Sequence, residues 1–153
     1  MINELQKKID EINYWDLLVL DIQSKYFGDE VYIYIEKDEE ICWKLSFTSC
    51  YKVSYETDAK WRGDFKVRNT GPKSGYYAQD ISLNRYAENE DFIECSFDAS
   101  IMTMNIICKG IIVEEVSVIE NSFFGKVIKI KFRVCEYKKK PHSIKWGFLH
   151  HIN

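Results

Sequence analysis

The sequence predicts a mainly β domain: an antiparallel sheet curled into a barrel or paired as a sandwich, with one amphipathic helix at its N-terminus. Three observations carry that reading. Apolar and polar residues alternate over several segments, the helical spacing of apolar residues occurs once, in residues 2–13, and no further helical period exists to build the crossovers of a parallel α/β sheet. The 153 residues, 46% apolar and 29% charged, suit one domain that buries roughly two thirds of its unfolded surface. No linker, repeat or low-complexity tract divides residues 1–153.

Taken in order, Ile2, Leu5, Ile9 and Ile12 lie on one helical face with Glu4, Lys7, Lys8, Asp10 and Glu11 between them, and Asn3 is placed to cap the helix. After Tyr14-Trp15 the period falls to two. Leu18, Leu20 and Ile22 lead into Tyr26-Phe27, the turn Gly28-Asp29-Glu30 and the β-branched and aromatic run Val31–Ile35, which reads as a hairpin. A charged loop, residues 36–40, precedes the clearest segment. Ile41, Trp43, Leu45, Phe47, Tyr51, Val53 and Tyr55 hold odd positions over 41–56 and predict a long strand with one wet face. Residues 57–75 hold no sustained period and read as one long loop, the kind that carries function more often than a short one.

Short strands follow over 76–83 and 92–99. Residues 102–108 alternate again, and Lys109-Gly110 marks a kink or turn before Ile111–Val118. Beyond a break at 121–125, Ile128, Ile130, Phe132 and Val134 alternate with Lys129, Lys131 and Arg133, the pattern of a guarded edge strand over 127–135; residues 138–153 have no stable period and read as a tail.

The net charge of -3 conceals two regions. Residues 1–125 form an acidic body of 23 acids and 13 bases, whereas residues 126–153 form a basic strand and tail with one acid and eight bases. The acidic body repels nucleic-acid phosphate and attracts cationic surfaces, so a protein partner fits it and nucleic acid does not. All three histidines (His142, His150, His151) lie near the C-terminus, which leaves the body without the commonest general base and without the imidazole of most zinc sites. The reading is therefore non-enzymatic, with no catalytic residue, no metal and no cofactor.

Five cysteines (42, 50, 95, 108, 135) form neither a C-x-x-C pair nor a dense framework and read as reduced thiols. The N-terminal residues lack a basic and then apolar leader, and no run approaches a membrane span; the expectation is a cytoplasmic protein with no membrane partner. The pairs Glu39-Glu40 and Glu114-Glu115 lack the spacing of a calcium loop. Turn carboxylates are ordinarily there to bond their own backbone. Trp61, between Lys60 and Arg62 in a polar loop, is either a cap on the core or an interface anchor.

Several blocks together resemble a known family: Tyr14-Trp15-Asp16-Leu17, Tyr26 through Val31, Cys42-Trp43-Lys44 through Tyr55-Glu56-Thr57-Asp58, Gln79 through Ser82, and Ser100 through Met104. They are similar to small Bacillus-type cytosolic proteins that look like the immunity proteins encoded beside polymorphic, contact-dependent toxins. The resemblance spans residues 14–118. It implies a protein that binds and neutralises a cognate toxin, and the charge of the body singles out a basic nuclease, met by charge-steered occlusion. Asp29, Glu30, Asp38, Glu39, Glu40, Asp58 and Asp64 are the expected contact surface, with Trp61 as anchor. Two other readings stay open: a small-ligand-binding β-barrel or uncharacterised enzyme with an aromatic pocket, and an oligomerising structural module built on strand 127–135. The oligomeric state is not fixed by the sequence.

Overall fold

The structure, a computed structural model, describes residues 1–62, 66–70 and 75–121. Asp64, the strand expected over 127–135 and the basic tail lie outside the described residues. In chain order the elements are α1 (Ile2–Asp10), β1 (Val19–Lys25), β2 (Glu30–Glu36), β3 (Ile41–Thr57), the short helical turns α2 (Ala59–Arg62) and α3 (Val67–Thr70), β4 (Asp80–Arg85), β5 (Ile93–Asp98) and β6 (Met102–Ser117). The strands form one antiparallel sheet in the order β1-β2-β3-β6-β5-β4, which curls but does not close.

α1 carries Glu4 in its first turn and Lys7 and Lys8 in its last, the charge order that the helix dipole favours. It begins two residues earlier than Asn3 suggests, with Met1 at the cap position and no side-chain cap, and it ends at Asp10. Ile12 nonetheless reaches the core, because the chain continues past the helix in a tight turn in which the Ile12 N–H donates to the Ile9 carbonyl at 3.1 Å. The apolar spacing thus outruns the helix. α1 also covers the outer edge of β4: Gln6 Oε1 accepts the Leu83 N–H at 2.8 Å, Gln6 Nε2 donates to the Ile81 carbonyl at 2.9 Å, and the Tyr14 hydroxyl accepts the Ile81 N–H at 3.0 Å.

β3 and β6 are long because each belongs to two half-sheets. With the β2–β3 turn taken as the bottom, residues 42–48 of β3 pair with β2 and residues 41–48 with residues 110–117 of β6, and β2 pairs with β1. Above the bend, residues 50–57 of β3 pair with 102–108 of β6, which pairs with β5 and through it with β4. Ser49 sits at φ 50° and the register slips between Cys50 and Lys52, which makes a bulge at Tyr51. A bulge bends its strand and steepens the twist, and that allows one strand to serve two sheets around a shared core. Gly110 lies opposite Thr48 at this bend, where a Cβ would come within 2.6 Å of Thr48 Oγ1. Of the kink or turn that the sequence suggests at Lys109-Gly110, the structure has the kink, a bend within a continuous strand.

The bend changes which residues face the core. Leu45 and Phe47 are buried below it, but Cys50 and Val53 continue the same face above it, and Tyr51 is expelled. The expected odd-numbered face of 41–56 therefore holds up to Phe47, passes to Cys50 at the bend, and returns to odd positions at Val53. The core itself is filled by Val31, Ile33, Phe47, Phe97 and Ile106, all fully buried. A smaller cluster of Leu18, Leu20, Tyr34, Cys42 and Val118 covers the outer face at the bottom, so that face is dry there. The curl brings the sheet edges together at one point, where Leu18 bridges Tyr77 and the Val19 N–H reaches the Tyr76 carbonyl at 2.8 Å.

Candidate functional site

The fold separates the residues expected to form one contact surface. Asp29 and Glu30 lie at the upper end of β2, whereas Asp38, Glu39 and Glu40 lie beyond its lower end, a strand length of roughly 20 Å away. Asp58 and Trp61 stand at the top of β3, past the bend. Three places replace one.

At the bottom, the β2–β3 turn abuts the end of β6. Ile41 pairs with Ser117, and the Val118 N–H donates to the Glu40 carbonyl at 2.7 Å. This register gathers Glu36, Asp38, Glu39 and Glu40 with Glu114, Glu115 and Glu120, seven carboxylates, around Lys37 and Lys44. The two lysines are already engaged. Lys37 Nζ meets Glu115 Oε1 at 2.5 Å and sits 4.7 Å over the Trp43 ring; Lys44 Nζ meets Glu114 Oε1 at 3.3 Å and sits 4.3 Å over the Tyr32 ring. The end keeps a strong excess of negative charge. Asp38 also shapes it: its Oδ1 accepts the N–H groups of Glu40 and Ile41, each at 2.8 Å, and these bonds hold its carboxyl below the usual carboxylate range.

At the level of the bend, the β1–β2 tip and the upper part of β3 enclose a concave surface of about 800 Å³, lined by Tyr26, Phe27, Asp29, Tyr51, Tyr55 and Met104 among others. Tyr26, Phe27 and Gly28 all adopt left-handed backbone conformations, at φ 51°, 59° and 94°. This run turns both aromatic rings outward, and Phe27 is fully exposed. Glu30, next to the tip, accepts the Tyr32 hydroxyl, which pushes the Tyr32 phenol up to about 12.

At the top, Asp58 caps α2 by accepting the Lys60 N–H at 2.8 Å and the Trp61 N–H at 3.2 Å. Trp61 is 55% exposed, with its indole lying against Gly75, where a Cβ would come within 2.8 Å of Nε1. One part of the ring lies over Gly75 and the rest is exposed. The expected long loop carries two helical turns in its described parts.

Cys42, Cys95 and Cys108 are buried and Cys50 half-buried, all as free thiols. Burial pushes the Cys42 and Cys50 thiols up to about 11 and Cys108 to about 12, the opposite of what a nucleophilic thiolate needs. Among the described residues no helix is long and apolar enough to cross a membrane.

Sequence reasoning missed how Glu36, Glu114, Glu115 and Glu120 join the acidic turn, because the β3–β6 register that unites them links residues some 75 positions apart. Compared with known proteins, residues 1–115 match the family model described as immunity protein PIM7. No curated protein matches the chain.

Proposed function

Because the chain belongs to the PIM7 family of immunity proteins, we propose that it neutralises its cognate toxin by covering a cationic surface of that toxin with the acidic lower end of its sheet. The observation that carries this reading is the gathering of carboxylates from the β2–β3 turn and the end of β6 at the lower end of the sheet, with Glu114 and Glu115 on its two faces. Such an end steers a basic partner into encounter and rejects anionic competitors. A nuclease, whose substrate site must itself be cationic, is the toxin class that fits. The protein acts by binding rather than by catalysis, in the cytoplasm where such a toxin would meet its substrate.

Co-expression with the toxin encoded beside it tests the reading. Cells carrying the wild-type chain survive; cells carrying Asp38→Lys, Glu39→Lys and Glu40→Lys together lose protection, whereas Asp29→Lys with Glu30→Lys, a strand length away, retains it. Full protection by the triple variant would remove the acidic end from consideration. Association of the purified pair should also slow steeply between low and physiological salt.

A further inference from the structure

Each exposed edge of this sheet is blunted in its own way, except one. β4 is covered by Gln6 and Tyr14, as above. On β1 the start is bridged to residues 76–78, and Asp21 folds its carboxylate back onto the Ile22 N–H at 2.9 Å and the Gln23 side chain at 3.0 Å. The lower part of β6 carries Glu114 and Glu115, like charges that oppose a second copy. The upper part of β3 is different. β2 ends opposite Thr48, so above the bulge β3 pairs with β6 alone, and among the described residues nothing pairs with its other side from Tyr51 to Thr57. Tyr51 and Tyr55 are 66% and 72% exposed there. An unpaired edge offers main-chain N–H and C=O groups at alternate residues, and only another extended strand satisfies them.

The sequence of that edge is complementary to itself. Laid antiparallel against a second copy about a two-fold axis at Ser54, Lys52 stands opposite the partner's Glu56 and Glu56 opposite the partner's Lys52. In the same register Val53 meets the partner's Tyr55 on the face that continues the core side, and Tyr51 meets the partner's Thr57. Opposite charges and β-branched against aromatic rings are the favourable cross-strand pairs. Shifting the two-fold axis by one residue either way loses both Lys52–Glu56 pairs; a shift to Tyr55 sets Lys52 opposite Asp58, whose carboxylate is already held by the Lys60 and Trp61 N–H groups. An isologous pairing of this kind closes, as most homodimers do.

We propose that the chain forms a two-fold homodimer by pairing the upper edge of β3 with its own copy, in the register that sets Lys52 against Glu56. The upper half-sheets of two copies then run as one continuous sheet, and both acidic ends stay free at the far ends of β3. This surface is independent of toxin binding.

Sedimentation of the full chain under reducing conditions tests it. The wild type should run at twice its 18.2 kDa. Lys52→Glu sets four carboxylates around the axis and Glu56→Lys sets four ammonium groups there, so each variant alone should run as a monomer with unchanged circular dichroism. Mixed in equal amounts, the two should recover the dimer, because each cross-strand pair is then one acid and one base; the double variant Lys52→Glu with Glu56→Lys should dimerise alone. A wild type that stays monomeric at 100 µM overturns the proposal, and so does a dimer that survives both single variants. Single variants that fail to pair on mixing overturn it as well, since that outcome means the charges do not set the register.

Discussion

Gly110→Ala tests the bend on which the two half-sheets depend. A Cβ at this position would lie 2.6 Å from Thr48 Oγ1, inside any ordinary carbon–oxygen contact by close to an ångström. Thr48 cannot simply turn away, because a β-branched side chain that moves its hydroxyl brings its methyl group round instead. Gly110 does not occupy the left-handed region, so alanine brings no backbone strain, and by restricting the unfolded chain it would if anything stabilise by about 0.4–1 kcal/mol. The contact is the whole cost. Overpacking of this size costs about 1–3 kcal/mol. Thr48→Ala removes the offending oxygen and gives up only a long hydrogen bond to the Gly110 carbonyl, 3.5 Å, worth well under about 1 kcal/mol. The double variant should therefore be more stable than Gly110→Ala alone, with a coupling of about 1 kcal/mol or more. Urea unfolding followed by tryptophan fluorescence reads this as a shift in midpoint at constant slope. Gly110→Ala at wild-type stability, or strict additivity of the two substitutions, would refute the claim that close approach at this point sets the bend.

Three further outcomes follow from the same structure. Phe47→Ala removes a fully buried ring below the bend and should cost about 3–5 kcal/mol, a drop in melting temperature of roughly 10 °C or more; a drop under roughly 3 °C would mean the ring is not packed as described. Asp38→Asn keeps the turn geometry and removes only the charge. The folded-state value of Asp38 is lowered, so its charge stabilises the fold above about pH 4 and that contribution is lost as pH falls through the lowered value; the variant should be less stable than wild type at pH 7, and the gap should narrow at acid pH. An equal gap at neutral and acid pH would show that geometry and not charge matters at this turn. Finally, Cys42, Cys95 and Cys108, buried and raised, should resist iodoacetamide at pH 8 in the folded protein and react in denaturant, as peptide mass spectrometry resolves; fast labelling of Cys95 in the native state would contradict its burial.

Local pattern made most of the strands legible, since alternation over two to four residue pairs is enough to mark a half-buried strand. It was misleading where geometry breaks the period. The odd-numbered face of 41–56 is interrupted from Ser49 to Tyr51, because a positive φ and then a bulge each shift the alternation by one before Val53 restores it, and neither Ser nor Tyr announces such a conformation. Ile12 looked helical because a turn delivered it to the place a longer helix would have. The acidic turn was visible as charge, but its joining with Glu114 and Glu115 was not, because sequence does not state which strands neighbour each other. Likewise the free edge of β3 exists only because β2 is ten residues shorter than β3, a fact about relative lengths and register.

The same strand thus links two surfaces of opposite character. Its lower end stands beside seven carboxylates, where a second copy would be repelled and a cationic partner drawn in; its upper edge carries one lysine and one glutamate, neutral overall and matched to itself. Fourteen residues of extended chain between Glu40 and Ser54 correspond to roughly 45 Å of contour, several times the screening length of about 8 Å at physiological salt. Charge changes at one surface should accordingly leave the other unaffected. Monomeric Lys52→Glu should protect cells from the toxin as the wild type does in growth assays, while the acidic-end triple variant should still sediment as a dimer. Loss of protection in Lys52→Glu would mean that the toxin engages the two-fold axis itself and that dimerisation and neutralisation share a surface.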